Sequence, residues 1–416
     1  MRRAGARAIT LFILLAGFWV PGVAADQAMA PEVTISIASP DERWVDVAYD
    51  FNHDEYLVVW GEDFPPAPNG IHARLLDRHG FPKGAAFDVA PPGGHARRNP
   101  AVAYDGEGDR FLVVYEYDYN GDGSDWDIYG RLLNWSGVFP GWDEFVVEDT
   151  THDEQRPAVA FSWVSEKFLV TWDDWDSDYW KVQGALVAFG ALEPSFTVAS
   201  HSSEHRWFSD IAWEPFGNKF LVVYDNTFDV LGKLVSTTGS MGSEITVAGW
   251  PAAETRPAVA SCENWQFLVV WESYNDTVDP PNEDVYGRFL QGDGSFWQDP
   301  KSFGSLLGRD VRPDVACMSG GVDYLVVWEA LTAPRELVGK RLLATGALGN
   351  GVFVSQPADP LEDFYAAVAG SESGWLVGWL RQISGLPANV FARVAWDLFA
   401  DGFEWGNTGN WSATAP

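Results

Sequence analysis

A phrase repeated seven times, no stretch with a helical period, and a strand missing at one end but present at the other together predict an all-β fold. That fold is a seven-bladed β-propeller of four-stranded blades, closed by the N-terminal strand. The phrase reads P-A-V-A, a short gap, F-L-V-V-W, then D-I-Y-G-R-L-L. Pro100–Ala103 leads to Phe111–Tyr115 and Asp127–Arg131, and Pro257–Ala260 leads to Phe267–Trp271 and Asp284–Arg288. Its last alanine falls at Ala48, Ala103, Ala160, Ala212, Ala260, Ala316 and Ala369, spaced by 55, 57, 52, 48, 56 and 53 residues. A period in this range marks an array of one supersecondary unit.

Within a unit the strands follow from composition. In the second unit they are expected at 99–105, 110–116, 127–133 and 144–148. The first is small and apolar and suits a crowded axis, the second is β-branched and aromatic, the third alternates, and the fourth is brief. Gly and Asp punctuate the links, as in Asp105–Gly108 and Gly217–Asn218. Four-stranded units at this spacing fit a propeller; a sandwich would lack the repeat, and a solenoid would leave both ends open. The seventh unit has strands near 364–370, 374–380 and 389–395 but no usual fourth strand. Val33–Ala38, patterned like Phe196–Ala199 and Ile245–Ala248, supplies it and removes an exposed edge.

The body of the propeller therefore spans residues 33–395 of the 416. Before it, Arg2, Arg3 and Arg7 precede an apolar run from Ala8 to Val20, and Val23–Ala25 offers small residues for cleavage, with Ala28–Ala30 a second choice. Residues 1–25 thus read as a secretory signal peptide, and the mature chain is expected to be exported: extracellular, on the cell surface or periplasmic. The run is shorter than the roughly 20 residues a spanning helix needs, so no membrane insertion is expected. A formal charge of −32 repels phosphate backbones, which sets nucleic acid aside as a partner. Cys262 and Cys317 form no zinc-type pattern. Cys262 sits two residues past Ala260 and Cys317 one past Ala316, in consecutive units, so a disulfide and two buried thiols both remain open.

The phrases F-L-V-V-W-E and D-I-Y-G-R-L resemble the repeats of secreted bacterial β-propeller proteins, over roughly residues 33–395. The resemblance implies the fold and export, and carries no catalytic residues to transfer. The tail at 396–416, with Phe399–Thr408 and Trp411–Ser412, resembles a short C-terminal segment of exported bacterial proteins, which implies sorting or surface retention.

Chemistry is sought on the face that gathers the links between units and the loops between second and third strands. There an Arg four residues before the repeat alanine recurs as Arg156, Arg256 and Arg312, and an acid after the second strand recurs as Glu116, Asp173, Asp225, Glu272 and Glu329. Repeated features are read as structural, tying blade to blade. Departures from the repeat are the site candidates. Asp118, Asn120 and Asp122 match the opening of a D-x-N-x-D-G calcium loop, although Tyr129 holds the place of the distal Glu. Calcium is the one cofactor the sequence points to. His201, His205 and Arg206 are the catalytic candidates if the chain is an enzyme. Asp174, Trp175, Asp176, Trp180 and Tyr274 mix acids with aromatics in the manner of a sugar-binding surface.

No G-x-S-x-G, H-E-x-x-H or phosphate-binding loop is present. The leading expectation is a non-catalytic propeller that binds a glycan or an exported protein on its loop-rich face. The alternative is a polysaccharide lyase or glycoside hydrolase acting at the axial cleft. Nothing in the sequence sets the oligomeric state.

Overall fold

A computed structural model of the chain describes residues 27–37, 41–62, 69–138, 144–189, 191–262, 265–275, 282–304, 309–355, 360–383 and 386–397. The expected signal peptide, Asp276 and the tail beyond Asp397 lie outside them. Seven antiparallel sheets form seven blades in a ring. Blade 1 runs from Glu42 to Ala90, blade 2 from Arg97 to Glu148, blade 3 from Glu154 to Ala199 and blade 4 from Trp207 to Ala248. Blade 5 runs from Ala253 to Ser302, blade 6 from Asp310 to Ser355, and blade 7 from Leu361 to Asp397. In blade 2 the strands are Arg97–Asp105, Arg110–Asp118, Trp126–Asn134 and Phe145–Glu148, close to the bounds read from sequence.

The second strand of each blade is buried on both faces, because neighbouring blades cover it on either side. Leu57, Val58 and Val59 are fully buried, as are Phe111 to Tyr115 and Phe267 to Trp271. Six tryptophans are among the largest buried side chains; Trp60, Trp172, Trp271, Trp328 and Trp379 close the F-L-V-V-W phrase or its equivalent. These tryptophans belong to the core and are unavailable to a ligand.

The basic residue of D-I-Y-G-R has a separate task. Val58 pairs with Arg74, Val113 with Arg131, Val222 with Lys233, Val269 with Arg288, Val326 with Lys340 and Val377 with Arg393. Each of these cations reaches back to a carbonyl on the outer edge of the preceding blade. Arg131 donates to Val89 O (2.5 Å), Lys233 to Val198 O (2.9 Å) and Arg288 to Val247 O (3.0 Å). Lys340 donates to Phe303 O (2.8 Å) and Arg393 to Val354 O (3.0 Å). Charge-assisted bonds of this kind are stronger than neutral ones. Arg74 makes the same bond across the seam of the ring, to Ile35 O at 2.5 Å.

The ring closes as expected, with one difference in extent. Gln27–Met29 pairs with Ala395–Asp397 and Val33–Thr34 pairs with Phe391–Ala392, so two short strands form the outer edge of blade 7. The Ile35 N–H prolongs the pairing to Val390 O (2.8 Å).

The two cysteines are joined. Cys262 and Cys317 form a disulfide with Cα atoms 5.3 Å apart, linking the innermost strands of blades 5 and 6. Blade 7 packs hard against the same place: a Cβ on Gly370 would lie 1.8 Å from the Cys317 carbonyl oxygen, so only glycine fits.

Candidate functional site

Seven residues in the left-handed region of backbone space ring the axis. Trp44, Asn99, Arg156, Phe208, Arg256, Arg312 and Tyr365, each four before the repeat alanine, have φ between 50° and 53°. This conformation costs about 1–2 kcal/mol for most side chains. Each residue sits at a bulge, where the innermost strand gains a residue over its partner. In five blades the bulge is anchored by an acid of the preceding blade. The Arg156 N–H donates to Glu116 (2.7 Å), Phe208 to Asp173 (2.8 Å), Arg256 to Asp225 (2.9 Å) and Tyr365 to Glu329 (2.8 Å). The Arg312 N–H bonds Glu272 in the same way. These are the recurring acids of the sequence, and they do tie blade to blade. Their ion pairs, however, lie within a blade: Arg98–Glu116 (2.5 Å), Arg156–Asp173 (2.7 Å), Arg256–Glu272 (2.8 Å) and Arg312–Glu329 (2.9 Å). Burial pushes Asp173 up to about 6, against the opposing charge of Arg156.

The bulges surround a funnel of about 630 Å³ at the mouth of the channel. Trp44, Phe208 and Tyr365 contribute aromatic rings, and Asn99, Arg156, Arg256 and Arg312 contribute donors. The rings and cations are interleaved: Arg156 lies 4.7 Å and Arg256 5.6 Å from the Phe208 centroid, and Arg312 lies 4.9 Å from that of Tyr365. Below them, Asp46, Asp210 and Asp314 line the neck. Each accepts a backbone N–H of the next blade, from Val102 (2.8 Å), Val259 (2.7 Å) and Val368 (2.8 Å). Burial pushes Asp46 up to about 7 and Asp210 up to about 6.

On the side of blades 3 and 4 the funnel runs into an aromatic wall. His205 stacks on Trp207 with centroids 4.8 Å apart, and lies 6.1 Å from Trp175 and 5.5 Å from Tyr179. Trp175 meets Trp180 at 5.2 Å, and Arg156 lies over Trp180 at 4.8 Å, joining wall to funnel. The Trp180 N–H donates to His205 Nδ1 (3.2 Å), so the neutral ring carries its proton on Nε2.

The structure thus unites Trp175, Trp180 and His205 and separates the other candidates. Arg206 is buried, paired with Glu204 (3.1 Å) and Glu244 (3.5 Å), and supports the wall from behind. His201 is exposed, 3.8 Å from Glu204. Asp176 is exposed and pairs with Lys181 (3.2 Å). Tyr274 stands in blade 5, near the Arg309–Glu283 pair. Asp174 is buried and turned away from the wall, so a surface ligand does not reach it. The aromatic bulge residues Trp44, Phe208 and Tyr365 were missed in the sequence. Their signal is the column four before the repeat alanine, read for position instead of residue type.

Asp118, Asn120 and Asp122 hold their loop together. Asp118 accepts the N–H groups of Gly121 and Gly123 (both 3.0 Å), Asp122 accepts that of Ser124 (3.1 Å), and Asn120 donates to Ser124 (3.4 Å) and Asp125 (3.3 Å). Behind this loop, between blades 2 and 3, lies an acidic pocket. One donor atom each from His152, Glu154 and Asp174 falls within 4.8 Å of the others. Burial, with the charges of Asp174 and Asp127 adding, pushes Glu154 up to about 9.

No protein-family model matches this chain, and no curated protein matches it in sequence. Solved structures share its fold. A protein of unknown function from Dyadobacter fermentans DSM 18053 is 10% identical with a TM-score of 0.53, over 89% of this chain and 99% of that one. The polysaccharide lyase Uly1 is 7% identical with a TM-score of 0.56, again over 89% of this chain and 99% of that one. At such identities the likeness is one of fold.

Proposed function

We propose that the chain is an exported, non-catalytic glycan-binding propeller, whose ligand sits in the axial funnel and along the adjoining wall of blades 3 and 4. The observation that carries this reading is the ring of left-handed residues, which sets aromatic rings beside hydrogen-bonding side chains around one concave mouth. A sugar presents an apolar face to a ring and hydroxyls to its rim, and concave sites with a few placed polar groups suit such ligands. Each funnel arginine spends part of its five-donor fork on its acid and keeps the rest for hydroxyls. Because these acids match the arginines in charge, a neutral or sparsely charged glycan fits better than a polyanion. Calcium held by Asp118, Asn120 and Asp122 belongs to the same proposal, as an ordering ion for the blade 2 loop.

A second reading has one observation in its favour. His205 has a fixed Nδ1 acceptor, stands beside Tyr179, and shares its wall with Arg156, which is the equipment of a base next to a group able to neutralise a uronate carboxylate. The polysaccharide lyase Uly1 has the same fold, but fold alone does not set activity. A glycan array paired with a polysaccharide-degradation screen on the mature protein separates the two. Saturable binding without product, weakened about tenfold or more in Trp180→Ala, is the expected result. Chain shortening of any polymer that disappears in His205→Ala replaces the binding reading with the enzymatic one.

A further inference from the structure

We propose that His152, Glu154 and Asp174, with Asp127 beside them, form a binding site between blades 2 and 3 for one divalent first-row transition cation, with zinc the best match. The proposal is independent of the glycan reading. Strand pairing builds the site. Glu154 opens the innermost strand of blade 3, and His152 lies in the link two residues before it, with a ring nitrogen within 4.8 Å of a Glu154 carboxylate oxygen. Asp174 is the cross-strand partner of Glu154. Asp127 enters from the third strand of blade 2, with its carboxyl against Glu154.

The buried oxygens are what point to a cation. Glu154 and Asp127 are fully buried and Asp174 is 3% exposed. Glu154 Oε2 has no hydrogen-bond partner, His152 Nδ1 and Asp174 Oδ1 have only each other, and the Asp127 carboxyl meets Glu154 and the Thr150 backbone. Buried polar atoms are nearly always partnered, by protein, water or an ion. The second oxygen of each paired carboxylate is already held: the Thr150 hydroxyl bonds Glu154 Oε1, while Gln183 (3.3 Å) and Lys181 (3.3 Å) meet Asp174 Oδ2. Such outer contacts orient ligands around a metal. His152 Nδ1 lies 3.2 Å from Asp174 Oδ1, a spacing that suits two donors each about 2.0–2.2 Å from one cation. The His152 side chain is 37% exposed and gives the pocket a way in from solvent. One imidazole among carboxylates favours zinc over calcium, which takes oxygen alone.

A second cluster shows what a site without this demand looks like. Asp50, His53 and Asp109 are as close together, but Asp50 accepts the N–H groups of Asn52 (2.9 Å) and His53 (3.0 Å), and Asp109 accepts the Tyr104 hydroxyl (2.7 Å). Its acceptors are spent on turns.

The test uses the mature chain stripped of metal by chelation. Zinc chloride is titrated in a calorimeter, and melting is followed with and without zinc. One equivalent of zinc should bind and raise the melting temperature, since a ligand of the folded state alone stabilises it. Glu154→Gln and His152→Ala should each weaken zinc at least tenfold, and the visible spectrum of bound cobalt should change in His152→Ala. Should Glu154→Gln fail to fold, the half-exposed His152 still decides the matter. The proposal is overturned by no saturable zinc binding, by zinc affinity unchanged in His152→Ala, or by calcium displacing zinc at equal concentration.

Discussion

Asp173 shows how one side chain serves both frame and site. Its carboxylate takes the guanidinium of Arg156 and the N–H of Phe208, so it fixes two members of the funnel ring in adjacent blades. Asp173→Ala should therefore cost about 2–4 kcal/mol of stability, because it leaves a cation and a strained backbone donor without their acceptor. Urea unfolding measures this, and a change below about 0.5 kcal/mol would contradict the anchoring role. The sequence displayed the acid and three of the ring's arginines, but not the ring. What the seven positions share is a backbone angle, and Trp, Asn, Phe and Tyr in the same column hide it. The buried pocket was hidden for another reason. His152 and Glu154 lie close in sequence, but Asp174 and Asp127 join them only through strand register and blade contact.

At the scale of strands, the repeat disclosed nearly everything that local chemistry controls. The F-L-V-V-W run reads as a β-branched, aromatic strand and the P-A-V-A run as a small apolar lining of the axis, because side-chain size and branching mark both. Closure was legible from a strand missing at one end and present at the other. Its extent was not, because Gln27–Met29 has no repeat counterpart. Deleting residues 27–37 should expose the edge of blade 7 and strip Arg74 of its acceptor on Ile35, so the melting temperature should fall by at least 10 °C or folding should fail. A truncated chain that melts like the parent would rule out this closure.

The whole molecule carries a formal charge of −32, and several of its acids are buried. Burial pushes Asp46, Glu254 and Asp310 up to about 7 and Asp210 up to about 6. These folded values lie above the roughly 4 of unfolded carboxylates. Their contribution to stability is thus full below pH 4 and is lost as pH rises through 6 to 7. Falling negative charge at lower pH acts in the same direction by relieving self-repulsion. The melting temperature should accordingly be higher at pH 6 than at pH 8, and a flat or opposite profile would show these acids to be ionised throughout.

A glycan is proposed to occupy the axial funnel. The test is calorimetric titration of a glycan that the protein retains, repeated with Phe208→Ala and Tyr365→Ala. The two variants remove ring faces from blades 4 and 7 of the same mouth while leaving every backbone anchor in place. Each should weaken binding by about tenfold, the loss expected for a stacking aromatic. Affinity unchanged in both would place the ligand elsewhere and contradict the claim.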